Sequence, residues 1–256
     1  MTIEALFWLA VCGVVYPYLG YPAVLWLIGK VTRRPQTGPA GRLPSISMII
    51  PVFNEAARIG RKVANTAALD YPADLMQILF VSDGSSDGTV DIIRGSDLPG
   101  LQIVELPGRG GKAAALNAGL AAARHELLVF TDASIELEPG ALRQIVKPFA
   151  DPEIGCVSGE DRIAESGGEA YYGRYELFLR RLESRVHSIV GASGSFYAQR
   201  RSICQPFTEG MAPDFLSVLR TVEQGYRAVS EFSAVGAMTS VKGRSSLVCT
   251  TISGQM

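Results

Sequence analysis

The chain has little to offer thiol or imidazole chemistry. Its four cysteines, Cys12, Cys156, Cys204 and Cys249, are scattered with no CxxC pair, and neither of the two histidines stands at zinc-ligand spacing. That pattern argues against structural zinc and reads as small hydrophobes in a reducing compartment. His125 and His187 read as helix-surface residues. There is no dense Lys/Arg block and the net charge is -1, so no basic face recommends a nucleic-acid partner. Internal repeats and low-complexity tracts are absent, and 256 residues suit one large α/β domain plus an anchor.

A different absence is informative in itself: no charged residue occurs from Ala5 to Gly29. As a helix this stretch would reach about 37 Å at about 1.5 Å per residue, enough for a hydrocarbon core of about 30 Å. Glu4 and the length of the run fit a cleavable leader badly. Lys30, Arg33, Arg34 and Arg42 follow, which places the remainder on the cytoplasmic side of the cell (inner) membrane by the positive-inside rule. Tyr16-Pro17-Tyr18-Leu19-Gly20-Tyr21-Pro22 interrupts the run with two prolines, each removing a backbone donor. Residues 1–31 are therefore expected to be either a kinked transmembrane helix or a re-entrant element.

Residues 32–44, rich in Pro, Gly and Arg, read as a basic linker. From Ser45 the pattern alternates. Strands are expected at Ser45–Phe53, Gln77–Ser82, Leu101–Leu106 and Leu127–Thr131, with helices at Asn54–Leu69, where Ile59, Val63 and Ala67 stand at helical spacing, Asp87–Arg94 and Gly111–Arg124. Such alternation predicts a mostly parallel sheet covered on both faces. Beyond Asp132 come an expected helix Glu138–Phe149, a short strand Gly155–Ser158 and a long helix Glu169–Ile189. That helix carries Tyr172, Tyr175, Phe178, Leu179, Leu182 and Val186 as an expected core stripe. After the small-residue turn Gly191–Ser195, a helix Asp214–Gly225 should face Phe215, Leu216, Leu219 and Val222 inward.

Three strands end in acids: Glu55, Asp83 and Asp132. Carboxylates at the carboxyl edge of an open α/β sheet stand where such folds bind ligands. Asp83 can accept from a nucleobase or a ribose hydroxyl, whereas Asp87 reads as a helix N-cap. Asp132 closes an apolar run and needs a partner, which a divalent cation bridging to a diphosphate would supply. Ser134 lies on the same side of an extended chain and can assist. Lys112 opens a helix after a glycine-rich turn, where anions gather, although the glycine spacing is not that of a Walker A loop. Asp214 begins a helix, and its role as a base depends on the whole pattern.

Pro51-Val52-Phe53-Asn54-Glu55, Asp83-Gly84-Ser85-Ser86-Asp87-Gly88-Thr89, Gly111-Lys112-Ala113-Ala114-Ala115-Leu116-Asn117-Ala118-Gly119, Thr131-Asp132-Ala133-Ser134 and Pro213-Asp214-Phe215 together resemble glycosyltransferase family 2, in the family's order. The resemblance covers Ser45 to Val229. It implies a GT-A nucleotide-sugar-binding fold at 45–240, Mg2+ or Mn2+ dependence, inversion at the anomeric carbon, and a UDP- or GDP-activated donor, with a UDP-sugar expected. Pro51, Asn54 and Glu55 would line the base and ribose pocket, Asp83 would contact the nucleoside, and Lys112 would lie near the nucleotide. Asp132 matches the first acid of the family's DxD motif, with Ser134 in place of the second, giving Asp132 and Ser134 as metal ligands. Asp214 matches the acid that deprotonates the acceptor hydroxyl. The turn Gly191–Ser195, through Gly194 and Ser195, matches the segment beneath the acceptor.

The implied activity is hexosyl transfer to a polysaccharide, glycolipid or other hydroxyl acceptor, with the membrane and a membrane protein as further partners. Membrane-bound family members continue beyond residue 229 with an amphipathic interface helix, an acceptor motif ending in Arg-Trp and further spans. Here the 241–256 tail is short and Ser/Thr-rich, and the chain reads as truncated. The alternative is an inactive remnant that binds a nucleotide or a partner. A nucleotidyltransferase would carry a glycine-rich signature at the first strand in place of Pro51–Glu55.

Overall fold

The computed structural model describes residues 2–32, 42–162 and 168–238. Most of the expected linker, including Arg33 and Arg34, the 241–256 tail and Cys249 lie outside them. The uncharged amino-terminal segment is one continuous helical rod. It consists of α1 (Ile3–Val15), a π-helical turn Tyr16–Gly20 and α2 (Tyr21–Val31). By length and composition the rod, Ile3–Val31, is long and apolar enough to cross a membrane. The π turn sits where Pro17 withholds a backbone donor, the usual setting for such a bulge.

The α/β part begins with β1 (Ile46–Val52), α3 (Ala56–Ala67), β2 (Met76–Ser82), α4 (Thr89–Arg94), β3 (Leu101–Glu105), α5 (Gly111–Ala122) and β4 (Leu127–Thr131). It continues with β5 (Ile135–Leu137), α6 (Ala141–Val146), β6 (Ile154–Arg162), α7 (Gly168–Val186), β7 (Phe196–Arg200), α8 (Pro213–Glu223) and β8 (Arg227–Met238). One sheet takes all eight strands in the order β3-β2-β1-β4-β7-β6-β8-β5. β3, β2, β1 and β4 run parallel. β7 is antiparallel to both β4 and β6, β8 lies parallel to β6, and β5 is antiparallel to β8. The sheet is therefore mixed, and the parallel expectation describes its first four strands.

The chain builds outward from β1 through β2 to β3 and then returns to place β4 on the other side of β1. That reversal opens a crevice at the carboxyl ends of β1 and β4, where open α/β sheets hold ligands. β1 is buried almost throughout because both faces are covered. Met48 and Ile50 pack with Ile59 of α3, Ile93 of α4 and Ile145 of α6 on one side. Ile49 packs with Leu116 of α5 and Val218 of α8 on the other. A β-carbon on Gly119 would lie 2.5 Å from Ile49 Cγ2, so a glycine there lets α5 sit close on β1 and brings Lys112 to the crevice.

Three expectations about faces are corrected. On α8, Leu216 is buried but Phe215, Leu219 and Val222 are exposed, while Ser217 and Thr221 face inward. The Gln199 side-chain amide donates to Ser217 O and Thr221 Oγ1, and this satisfied polar contact sets the phase of the helix. On α7, Leu182 is buried, whereas Tyr172 and Phe178 are exposed, because α2 occupies only part of that stripe. On α3, the buried positions are Ile59, Lys62 and Thr66, and Ala67 is exposed. His125 and His187 lie just past the ends of α5 and α7, off the helices on which they were expected. Cys12, Cys156 and Cys204 are free thiols.

Candidate active site

Two loops leave the crevice edge of β1 and β2 and are stitched to each other. Asn54 adopts φ 52°, a left-handed conformation that Asn tolerates better than most residues. Its Oδ1 accepts from Ser86 N at 2.9 Å, and its own N–H donates to Ser85 Oγ at 3.1 Å. Glu55 N donates to Thr89 Oγ1 at 2.8 Å. Asp87 accepts from Ala56 N through one oxygen and from Thr89 N through the other. It thus serves the first residues of both α3 and α4, with Gly88 in the N-cap position of α4. The Thr89 hydroxyl and these amides favour its charged form and hold its pKa below the usual carboxylate range.

Asp83 is nearly buried, at 5% exposure. Its Oδ1 accepts from Gly110 N at 2.6 Å and its Oδ2 from Gly111 N at 2.9 Å. Both oxygens therefore pin the glycine-rich turn that opens α5. Gly84, at φ +70°, would bring a β-carbon within 2.7 Å of the Gly108 backbone, so the two loops can meet only at a glycine.

Lys112, on the first turn of α5, places Nζ 2.8 Å from Asp132 Oδ1 and 3.4 Å from Gly194 O. The partner that Asp132 needed is thus present as an ammonium. The Asp132–Ile135 segment turns back on itself, with Ile135 N donating to Asp132 O at 3.3 Å. Ser134 therefore follows through a turn, not along an extended chain, yet lines the same cleft. The cleft, about 290 Å³, is walled by Pro51, Phe53, Glu55, Asp83, Lys112 and Asp132, among others. Asn54 is not among its walls; its side chain braces the neighbouring loop.

Gly194, Ser195 and Asp214 meet the cleft at one short segment. Ser195 is buried, and its carbonyl accepts from Asp132 N at 3.0 Å. Gly194 beside it is exposed, and a β-carbon there would stand 3.7 Å from Asp214 Oδ2. Asp214 lies in the first turn of α8. Gly194–Ser195 thus separates Asp132 from Asp214, with Lys112 bridging Asp132 and the Gly194 carbonyl.

Two further residues belong to this region and went unread in the sequence. Lys62 is 1% exposed and donates from Nζ to Thr131 Oγ1 at 3.0 Å and to Ile135 O at 2.6 Å, clamping the segment that carries Asp132 from beneath. Burial pushes its pKa down to about 7 against the pull of Asp132 and Glu136. Its signal was the spacing Ile59, Lys62, Thr66 on the buried face of α3. Asp161, late in β6, accepts from Ser193 Oγ at 2.8 Å. Burial raises its pKa, Ser193 and Arg180 oppose that, and the nearby Asp132 charge adds to it.

As a cation site, Asp132 and Ser134 offer hard oxygen ligands at the cleft wall. No cluster of three or more His, Cys, Asp or Glu stands ready for a metal among the described residues. That donor set suits an ion that keeps waters and takes its remaining ligands from a substrate diphosphate.

A family model described as "Glycosyl transferase family 2" matches residues 47–207. The chain belongs to glycosyl transferase family 2. Among its relatives, beta-monoglucosyldiacylglycerol synthase of Synechocystis sp. is 33% identical over 135 residues, which cover 50% of this chain and 28% of that protein. Poly-beta-1,6-N-acetyl-D-glucosamine synthase of Staphylococcus aureus is 26% identical over 160 residues, 57% of this chain and 38% of that protein. The chain spans about a third of the length of these curated relatives. Among solved structures, the mannosyltransferase PcManGT from Pyrobaculum calidifontis, in complex with GDP-Man and Mn2+, matches with a TM-score of 0.76 and 28% identity. The match covers 90% of this chain and 68% of that one. The mixed sheet is that of the family's GT-A fold.

Proposed function

We propose that the chain is an inverting glycosyltransferase. It moves a sugar from a nucleoside diphosphate, UDP or GDP, to a hydroxyl of a polysaccharide or glycolipid acceptor. The catalytic unit is residues 45–240, held at the cytoplasmic membrane face by an anchor within 1–31. The observation that carries this reading is the convergence of Asp132, Lys112 and Asp214 on Gly194 at the crevice between β1 and β4. The glycolipid and polysaccharide synthases among the relatives support the acceptor class. The basic residues following the anchor support its orientation.

Each residue has a separable task. Asp83 fixes the glycine-rich turn, so that the first turn of α5 and Lys112 present positive potential to phosphate oxygens. Asp132 and Ser134 would hold Mg2+ or Mn2+, and the neighbour solved with GDP-Man and Mn2+ supports such an ion. When bound, a divalent cation neutralises the charge that grows on a departing diphosphate. Asp214 takes the proton of the acceptor hydroxyl, which is a weak nucleophile until a positioned base removes it. A single displacement with one base accounts for inversion.

The test is turnover of a panel of UDP- and GDP-sugars with Mn2+ or Mg2+, comparing the natural chain with Asp132→Asn. One donor should be consumed in a cation-dependent manner, and the variant should lose about 10²- to 10³-fold, the scale on which single electrostatic stabilisers act. Unchanged turnover in the variant contradicts the assignment. Nucleotide binding without turnover of any donor indicates a binding remnant instead.

A further inference from the structure

The amino-terminal rod does not stand clear of the α/β domain. Tyr175 of α7 donates from its hydroxyl to Pro17 O at 2.6 Å, and its ring lies 5.9 Å from that of Tyr18. Tyr21 donates to Glu183 Oε1 at 2.9 Å. At the far end of α2, Gly29 lies against Arg185 and Val186, its hypothetical β-carbon 3.8 Å from Arg185 Cβ. α2 therefore runs alongside α7 in the same direction from Pro17 to Gly29, and Pro22 and Leu25 are buried by it. By contrast, α1 buries no residue and projects past the amino end of α7.

This contact limits how deep the rod can sit in a membrane. If the uncharged run spanned hydrocarbon along its whole length, α7 would be carried in beside α2. Arg174, Glu176, Arg180, Arg181 and Glu183 would enter with it, and charged side chains are strongly disfavoured in hydrocarbon. At the level where α1 leaves the domain, the surface is instead made of tyrosine. Tyr16 and Tyr18 on the π turn are 54% and 61% exposed, and Tyr171 and Tyr172 on the first turns of α7 are 74% and 68% exposed. The Arg174 guanidinium lies 4.8 Å from the Tyr171 ring centre. Rings with an apolar body and a polar tip, backed by a cation, are suited to the headgroup layer.

We propose that Tyr16, Tyr18, Tyr171, Tyr172 and Tyr175 form a collar that seats the domain on the lipid headgroups, and that only α1 enters the hydrocarbon. Residues Ile3–Val15 reach about 20 Å as a helix, short of the roughly 30 Å core. The uncharged part of α1 begins at Ala5, after Glu4 in its first turn, so the apolar stretch that enters is Ala5–Val15. The partner surface is the lipid bilayer itself, reached by continuity with the uncharged rod. This inference rests on the membrane-anchored part of the reading above and is independent of which sugar is transferred.

Depth-dependent fluorescence quenching tests it with the full chain reconstituted in vesicles of phosphatidylethanolamine and phosphatidylglycerol. With Trp8 and Trp26 both replaced by Phe, a single tryptophan is introduced as Tyr172→Trp. A second protein keeps Trp8 alone in α1. Nitroxides are placed either on the lipid headgroup or near the end of an acyl chain. The collar tryptophan should be quenched at least about twofold more by the headgroup probe, and Trp8 more by the deep probe, as expected of an interfacial belt above a buried segment. A collar tryptophan quenched mainly by the deep probe overturns the proposal in favour of a full span. One quenched by neither, while Trp8 is quenched, overturns it in favour of a collar facing water or another protein. Failure of the protein to transfer sugar leaves these readouts unaffected, and failure of Trp8 to be quenched by either probe rejects membrane anchoring itself.

Discussion

The two halves of the sheet hold their functional residues by different means. In the parallel half, β1 to β4, the loops at the crevice are fastened to one another. Asn54 holds the Ser85-Ser86 turn, Asp87 holds the starts of two helices, Asp83 holds Gly110 and Gly111, and Lys62 holds both ends of the Asp132 segment. In the mixed half, Gly194 and Asp214 meet the crevice at an open rim. α8 shows solvent Phe215, Leu219 and Val222 on one stripe. On the proposed reading the cleft of the parallel half takes the donor, and a cleft organised in advance avoids ordering costs at the moment of binding. The open rim is, on the same proposed reading, the acceptor side, where a large sugar or lipid substrate has room to enter.

That contrast is most sharply broken at Asp214. Asp214→Asn should lower kcat for transfer by about 10²- to 10⁴-fold, the range for loss of a general base. Nucleotide-induced thermal stabilisation should stay unchanged, because the parallel half is untouched. A variant that loses nucleotide binding as well would show that the two halves are not separable.

Next in size is Asp83→Asn, which keeps the shape of the side chain but loses the charge that two backbone amides meet. A charge-assisted hydrogen bond contributes about 1.5 to 3 kcal/mol. The expected result is a donor KM raised by about tenfold or more, with a smaller change in kcat. A fall in kcat with KM unchanged would instead place Asp83 in the chemistry.

Lys62 gives a pH signature. Its folded pKa of about 7 lies below the ordinary lysine value of 10.5, so between those values the unfolded chain binds a proton that the folded chain does not. Stability must then rise with pH across that window and lose this gain as pH falls toward 7. Relative to Lys62→Met, the unfolding free energy of the natural protein in detergent should climb by about 1 kcal/mol per pH unit between about pH 7.5 and 9. Parallel curves for the two proteins would mean that Lys62 is solvated. The smallest effect is expected of Asn54→Gly, which keeps the left-handed backbone and removes the bond to Ser86, at about 1 kcal/mol in thermal stability and little in kcat.

The parallel half was readable because its signals are local. An apolar β-branched run, a small or acidic turn and a helical period follow one another three times before Asp132, and each acid falls at a strand end by chain order alone. What the sequence hid depended on partners far away in the chain. β7 is five residues, Phe196–Arg200, whose Gln and Arg disguise a strand between two others. α8 presents Ser217 and Thr221 inward because β7 satisfies their hydroxyls, Tyr197 that of Ser217 and Gln199 that of Thr221, and hydrophobic periodicity alone chose the opposite face. Lys62 sits at a buried helical position, where a lysine is normally read as solvated, and only the carbonyl of Ile135 and the hydroxyl of Thr131 make its burial tolerable. The aromatic stripe of α7 was visible, but α2 covers only part of it, leaving Tyr172 and Phe178 exposed.

The claim on which the rest depends is that the cleft beside Asp132 and Lys112 receives a nucleoside diphosphate with its cation. Calorimetric titration of UDP and GDP into the full chain, with and without Mn2+, measures this directly. Binding of one nucleotide should require Mn2+ and weaken at least about tenfold, 1.4 kcal/mol, in Asp132→Asn. Binding of equal strength in the variant, or none of either nucleotide to the natural protein, would contradict it.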